Sequence, residues 1–179
     1  MSVLGRLVMS GDISLFYWLN QGLQSVSMSI IMRAITHLGS TSLSVVLPAV
    51  MMMSPGRSLS RSGQELALTL IISQVFVHGI KRVVKRPRPF LTLKYVITIE
   101  PPLCPSFPSG HTAAAFSVAF VLATLLSGWA TVFMVGAGLV GISRVYLGFH
   151  YPSDVLFGVL IAYLSFTLAT LSLAATLSA

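Results

Sequence analysis

Residues 64–89 read QELALTLIISQVFVHGIKRVVKRPRP, and this stretch indicates both the class of the fold and the position of its chemistry. A mostly apolar run is followed without a turn by a basic segment that contains two prolines. Such a run suits a helix that crosses about 30 Å of hydrocarbon. Proline removes a backbone donor and disfavours helix in the residue before it, so the helix is predicted to end near residue 85.

The composition of the whole chain agrees with a membrane protein. Hydrophobic residues make up 55% of the 179 residues and charged residues 8%, whereas a soluble domain carries about 25% charged residues. The mean hydropathy is +0.88. So few charges cannot cover a surface that faces water. We therefore infer an all-α, polytopic membrane bundle that forms a single domain over residues 1–179.

The formal net charge of +7 does not indicate a nucleic-acid partner. Six of the eleven cations lie between Lys81 and Lys94, and the others are scattered. A nucleic-acid-binding protein spreads a basic face over a soluble fold, which this composition does not allow. A basic cluster beside an apolar helix favours membrane lipids with anionic head groups, or phosphate, as the partner.

Hydropathy, interrupted at polar, glycine and proline clusters, predicts a short interfacial helix and six transmembrane helices. Trp18 and Tyr17 suit a helix at head-group depth over residues 13–22. The six spans are predicted at 24–38, 41–54, 64–85, 109–127, 130–147 and 152–174, with one long loop at 86–108. An even number of spans places both termini on one side of the membrane. It places residues 81–111 and 143–154 together on the other side.

Three polar clusters lie at those co-located ends. The first is Lys81 with Arg88-Pro89, the second is residues 108–111 (PSGH), and the third holds Ser143-Arg144, His150 and Asp154. Together they supply fixed cations, a helix N-terminus, two imidazoles and a carboxylate. Phosphoryl transfer needs this inventory, because its catalysis consists mainly of positioning and of stabilising charge on the phosphate oxygens.

Each residue taken alone also has a purely structural interpretation. Lys81 and Arg88 can be flanking cations that reach the interface, Ser109 can be an N-cap, and Asp154 can complement a helix dipole. Ionisable residues gathered at one face of a membrane bundle are costly, however. A shared functional role therefore explains the three clusters better than chance.

In these motifs the sequence resembles the type 2 phosphatidic acid phosphatase superfamily, over residues 81–154. That superfamily includes bacterial phosphatidylglycerophosphate and undecaprenyl pyrophosphate phosphatases, and also the soluble vanadium haloperoxidases. The apolar spans favour the membrane branch over an oxidation enzyme. The resemblance implies hydrolysis of a lipid phosphate monoester or a polyprenyl pyrophosphate through a phosphohistidine intermediate at the outer membrane–water interface.

The resemblance also implies a role for each motif residue. His150 would be the nucleophile, Asp154 would orient its imidazole, and His111 would act as general acid and then as general base. The phosphate oxygens would be bound by a set of cations and helix N-terminal groups, namely Lys81, Arg88, Ser109, Gly110 and Arg144. No metal or other cofactor is expected, because three cations already supply positive charge and the chain has only four carboxylates.

Two pairs of residues fall outside the motifs. Lys85 and Arg86 are interpreted as interfacial anchors, with lipid head groups or a second phosphate as the alternative. Gln74 and His78 stand one turn apart on a predicted helix, where interhelical hydrogen bonding accounts for them.

The alternative function is a non-catalytic membrane protein that binds anionic lipid through residues 81–94. His150, four residues before Asp154, favours the enzyme over this binder. The positive-inside rule alone would place the 81–94 segment in the cytoplasm. The resemblance implies the opposite, with the active site outside or periplasmic, and with both termini, Arg6, Arg57 and Arg61 cytoplasmic. The sequence indicates neither the oligomeric state nor which lipid phosphate is the substrate.

Overall fold

The structure, a computed structural model, describes residues 3–98 and 104–178, and these residues form helices joined by short connections. The all-helical class predicted from composition agrees with this arrangement. The helices are α1 (Val3–Asn20), α2 (Val26–Thr36), α3 (Thr41–Met52), α4 (Arg57–Val84), α5 (Pro89–Thr92), α6 (Gly110–Leu125), α7 (Ala130–Tyr146) and α8 (Pro152–Ser178).

Helix α4 begins seven residues before the predicted span, since most of the polar stretch between Ser54 and Gly63 is helical. Its start packs closely on α3: a Cβ added at Gly63 would lie 2.7 Å from the backbone nitrogen of Met52. The helix ends at Val84, close to the predicted boundary. Lys85 then adopts a left-handed conformation with φ of 46°, after which the prolines prevent the helix from continuing.

The six-span count is not confirmed. Within residues 3–98 and 104–178, three helical segments are long and apolar enough to cross a membrane, namely Arg57–Thr92, Ser127–Tyr146 and Pro152–Thr176. Residues Val26–Gly39 and Thr41–Met52, predicted as two spans, form a pair bent by 49° that together pass the same test. Separately, the 11 residues of α2 rise only about 16 Å at 1.5 Å per residue. Helix α6, with 16 residues, is also short for a span.

Helix α1 is longer than the predicted interfacial helix and is attached to one end of the bundle. The Asn20 amide donates to the carbonyl oxygens of Ile97 and Tyr146, each at 2.8 Å, and the Tyr17 hydroxyl donates to Lys94 O at 3.0 Å. At the opposite end, Thr170 near the end of α8 donates to Glu65 of α4 at 2.6 Å. The prediction that both termini lie on one side of the membrane depended on an even number of spans. Because the six-span count is not confirmed, this prediction is not confirmed either. The side chain of Arg6 lies outside the part that the structure describes.

Helices α4, α6, α7 and α8 bring their functional ends together at the end where α1 is attached. The first turn of α6 lies against α8, because Ser109 N–H donates to the Asp154 carbonyl at 3.0 Å. Small residues allow this close approach: a Cβ added at Gly158 would lie 2.7 Å from the Ser109 carbonyl oxygen. Small residues at helix contacts let backbones approach in membrane bundles, where packing drives association.

We expect Gly158→Ala to destabilise the protein, because the added methyl group would meet backbone atoms of α6 that cannot move aside. Overpacking of this kind costs about 1–3 kcal/mol. The matched control is Gly138→Ala in α7, where an added Cβ meets nothing within 4 Å. The measurement is the thermal unfolding midpoint in detergent. Equal midpoints for the two variants would contradict the close contact between α6 and α8.

Candidate active site

A cavity of about 460 Å³ opens where the ends of α4, α6 and α7 meet the segment before α8. Its walls include six residues from the sequence motifs: Lys81, Arg88, Gly110, His111, Arg144 and His150. These residues come from all three polar clusters of the sequence. The structure therefore brings most of the predicted site residues to one cavity, whose protein walls strengthen the interactions between charges.

Lys81 and Arg88 are held by backbone carbonyl groups of the neighbouring loop. Lys81 Nζ donates to Pro105 O at 2.7 Å. Arg88, which is 3% exposed, donates from Nε to Cys104 O at 2.7 Å and from a terminal nitrogen to Phe149 O at 2.6 Å. Cys104 Sγ also accepts from Arg88 at 3.0 Å. Among the described residues no carboxylate forms an ion pair with either cation, so both can interact with an anion in the cavity.

Arg144 lies in the last turn of α7 and is 6% exposed. One terminal nitrogen donates to Thr36 Oγ1 at 2.9 Å, and the guanidinium lies 4.5 Å from the centre of the Phe149 ring. Its Nε is buried and has no hydrogen-bond partner. Leaving a buried donor of a charged group unpaired is costly, so an anion in the cavity would satisfy both its charge and its geometry.

The N-terminus of α6 carries the PSGH motif, and its residues have different positions. The Ser109 side chain is fully buried and caps the helix: Oγ accepts from Thr112 N at 3.4 Å and contacts Thr112 Oγ1 at 2.8 Å. Ser109, one of the predicted phosphate ligands, thus caps the helix and does not line the cavity. Gly110 and His111 do line the cavity, and first-turn N–H groups of a helix favour an anion.

His150 and Asp154 form the remaining pair. His150 is 2% exposed and Asp154 is fully buried. Nδ1 of His150 lies 3.5 Å from Asp154 Oδ2 and makes no hydrogen bond. Nε2 lies on the cavity side, 3.4 Å from a terminal nitrogen of Arg88. The ring thus presents one nitrogen to the carboxylate and the other to the cationic cavity.

The surroundings of His150 keep its imidazole neutral. Burial, with the nearby guanidinium groups of Arg144 and Arg88, lowers the pKa of His150 to about 3, although Asp154 opposes the shift. A neutral imidazole retains the lone pair that nucleophilic attack requires. The arrangement therefore suits a nucleophile with a buried carboxylate close to its second ring nitrogen.

Several residues around Asp154 were not identified from the sequence. Its Oδ2 accepts from the Tyr151 N–H at 2.9 Å and from the Ser106 hydroxyl, and its Oδ1 accepts from Arg86 at 2.7 Å. Asp12 of α1 binds the other arm of Arg86 at 2.8 Å. In the sequence, only the cluster of cations before Pro89 indicated a member of this network. Nothing in the sequence indicated Asp12 or Ser106, because their partners are distant along the chain.

The interpretation of Arg86 as an interfacial anchor or phosphate ligand is wrong for this structure, because its guanidinium bridges two carboxylates. Lys85 terminates α4 and is exposed. The interhelical interpretation of Gln74 agrees with its 3.4 Å contact to Gly110 O. Gln74 and His78 also line the cavity, which the sequence did not indicate.

Comparisons with known proteins show which family this chain is similar to. The family model of the PAP2 superfamily matches residues 63–176. Phosphatidylglycerophosphatase B of Bacillus subtilis is 32% identical over 166 residues, covering 84% of this chain and 73% of that protein. An undecaprenyl-diphosphatase of Sulfolobus acidocaldarius is 30% identical over 125 residues, covering 68% of this chain and 61% of the relative.

Solved structures show the same fold. The crystal structure of Aquifex aeolicus LpxE superposes with a TM-score of 0.78 at 26% identity, covering 88% of this chain and 93% of that one. Among the curated relatives the aligned share is smaller, from 39% to 73% of their own length. The fold and the family membership therefore rest on most of this chain, while the relatives contain further segments outside the match.

Proposed function

This chain belongs to the PAP2 superfamily, and on that premise we propose that it hydrolyses a lipid phosphate through a phosphohistidine intermediate without a metal. The observation that carries the proposal is the position of His150. Its Nε2 faces a cavity lined by three cations, and its Nδ1 faces a buried carboxylate. That arrangement combines an activated nucleophile with charge stabilisation at the same place.

The proposed reaction has two steps. His150 Nε2 attacks phosphorus, the bond from phosphorus to the ester or anhydride oxygen breaks, and His111 donates a proton to the leaving oxygen. Water then attacks the phosphorus while His111 takes its proton, and the phosphorus–nitrogen bond breaks to release phosphate. Asp154 stabilises the imidazolium character that develops on His150, as the orienting carboxylate does in hydrolase triads.

The phosphate oxygens are bound by three cations and one helix N-terminal group, namely Lys81, Arg88, Arg144 and the Gly110 N–H. Ser109 supports this site as the cap of α6.

A second cavity supports a lipid as substrate. A lateral groove of about 380 Å³ runs between α3 and α4. It shares Thr41, Ser44 and Gln74 with the active-site cavity. Beyond those polar residues its walls are apolar, with Pro48, Met52, Leu70 and Ile71 among them. A phosphate in the cationic cavity and an acyl or prenyl chain in this groove would suit one amphiphilic molecule.

The alternative of a binder that uses residues 81–94 as a lipid-binding face receives less support. Lys81, Arg86 and Arg88 are directed inward and hold loop carbonyls or carboxylates. A binder would need these cations to be free at the membrane surface. The names of the two relatives point to a phosphatidylglycerophosphate and an undecaprenyl diphosphate as substrate classes to test.

We also propose that the active site faces the outside of the membrane. Arg57 and Arg61 lie beside the end of α8, where they line a separate pocket with Leu173 and Thr176. This is the end remote from the cavity. The resemblance of the motifs to the superfamily supports this orientation, which would place Arg57 and Arg61 on the cytoplasmic side.

We expect His150→Ala to reduce turnover to background and to abolish acid-labile phosphate labelling of the protein, because the atom that forms the phosphorus–nitrogen bond is removed. His37→Ala, which removes an exposed histidine outside the cavity wall, serves as the histidine control and should keep both. Labelling with radioactive lipid phosphate is measured after a rapid quench in alkaline detergent, because phosphohistidine survives alkali and is lost in acid. Persistent labelling of the His150→Ala protein would assign the nucleophile to another residue.

Activity should be unaffected by excess EDTA, because the phosphate charge is met by side-chain cations. Vanadate, which mimics the trigonal-bipyramidal phosphate, should inhibit. The measurement is phosphate release from purified protein, with a magnesium-dependent phosphatase in parallel to prove chelation. A rate that is lost in EDTA and restored by Mg²⁺ would overturn the metal-free mechanism.

Filling the lateral groove should reduce kcat/KM for long-chain lipid phosphates more than for dioctanoyl phosphatidate, because only the longer chains would use its full length. We propose Ala49→Trp, which places a large side chain in the groove. The control is Val50→Trp on the same helix, at an exposed position outside the groove. A second comparison uses glucose 6-phosphate, which should be a poor substrate. Equal losses of kcat/KM for all chain lengths would show that the groove does not bind the chain of the substrate.

A further inference from the structure

A carboxylate of the N-terminal helix is joined to the active site through one arginine. Arg86 donates to Asp154 Oδ1 at 2.7 Å from one terminal nitrogen and to Asp12 Oδ2 at 2.8 Å from the other. Asp12 is 8% exposed although it lies on α1, far from the motif residues in sequence. The planar guanidinium thus forms a fork between two buried carboxylates, a geometry for which arginine is suited and lysine is not.

The same Asp12 carboxylate caps the helix that carries Asp154. It accepts from Ser153 N–H at 2.8 Å and from the Ser153 hydroxyl at 2.6 Å. An N-cap side chain normally satisfies such a first-turn N–H, but the residue before Pro152 is Tyr151, whose side chain is not an N-cap acceptor. Asp12, which lies on α1, supplies this acceptor in its place and so holds the first turn of α8 in position.

Arg86 is fixed on its remaining sides. Its guanidinium lies 3.9 Å from the centre of the Tyr151 ring, and its NH1 also donates to Ser153 Oγ at 2.7 Å. Its backbone carbonyl accepts from Ser106 N–H at 2.9 Å, and the Ser106 hydroxyl contacts Asp154. Arg86 is also absent from the cavity wall. Its charge is therefore directed at the carboxylates and not at a phosphate.

We propose that Asp12 and Arg86 are positioning residues for the reaction: the Asp12–Arg86 bridge sets the location of the Asp154 carboxylate and thereby the orientation of His150. This inference rests on the proposed function, because it acts through the His150–Asp154 pair. It makes α1 part of the active centre. Neither residue belongs to the motifs that line the cavity.

The spacing of the His150–Asp154 pair explains why the bridge would matter. Asp154 Oδ2 lies 3.5 Å from His150 Nδ1, so a small displacement away from the ring would end the contact. When His150 becomes imidazolium-like, a well-placed carboxylate must stabilise it. Loss of the bridge would therefore slow the chemical step while leaving the phosphate-binding cations unchanged.

The test compares Asp12→Asn with wild type on dioctanoyl phosphatidate in detergent. Asparagine retains the size of the side chain and an oxygen for Ser153 but loses the charge that holds Arg86. We expect kcat to fall about tenfold, on the scale of groups that orient a functional imidazole, with KM nearly unchanged. Asp12→Glu should recover part of kcat, and Arg86→Lys should lose about as much as Asp12→Asn. Glu65→Gln, which removes a carboxylate at the opposite end of the bundle, should behave as wild type.

A double variant separates positioning from general destabilisation. If Asp12 acts through Asp154, adding Asp12→Asn to Asp154→Asn should cause no further loss of kcat, because residues in one network are not additive. Unfolding midpoints are measured for every variant. If Asp12→Asn does not fold, Arg86→Lys is combined with Asp154→Asn in its place.

Wild-type kcat in Asp12→Asn and Arg86→Lys, or full additivity with Asp154→Asn, would overturn the positioning role. Wild-type kcat in Asp154→Asn itself would instead overturn the proposed histidine chemistry, so the two failures are distinguishable.

Discussion

Asp154 is the point at which the helices and the chemistry of this protein meet. Its carboxylate is fully buried and accepts from Arg86, Ser106 and the Tyr151 N–H, while its carbonyl accepts from the N–H of Ser109. A buried ion is tolerated only when it is paired and hydrogen-bonded. The hydrogen bonds to the carboxylate and the carbonyl of Asp154 therefore join the segment after α4, the loop before α6, the N-cap of α6 and the start of α8 in a single arrangement.

The same constraint divides the cations of the active-site end into two groups. Arg86 neutralises carboxylates and so stabilises the structure around Asp154. Among the described residues, Lys81, Arg88 and Arg144 instead pair with no carboxylate, and the buried Nε of Arg144 has no partner. Their positive charge therefore lies at the wall of the cavity. A dianionic phosphate would supply the missing charge, which explains physically why such an expensive cluster is kept in a membrane bundle.

Under the proposed function, the groove beside the cavity would hold the apolar part of an amphiphilic substrate. The groove between α3 and α4 opens laterally from the polar cavity and becomes apolar toward Met52. The bend between α2 and α3 lies beside the cavity, where Gly39 packs against the His111 carbonyl. The break in these helices thus coincides with the junction between the polar and apolar binding regions. A straight pair of spans would not create that junction.

The sequence by itself determined the membrane class, the end of α4 before Pro87 and the identity of the motif residues. These follow from local properties, namely hydropathy, the missing donor of proline and the spacing of ionisable residues along the chain. Only the tertiary structure decided that Ser109 lies outside the cavity wall, that Arg86 bridges carboxylates and that Asp12 belongs to the same network. It also decided that residues 26–52 form a bent pair. The Arg86 network depends on partners as far apart as Asp12 and Ser153, and the pairing of distant groups leaves no periodic or local signal in a single sequence.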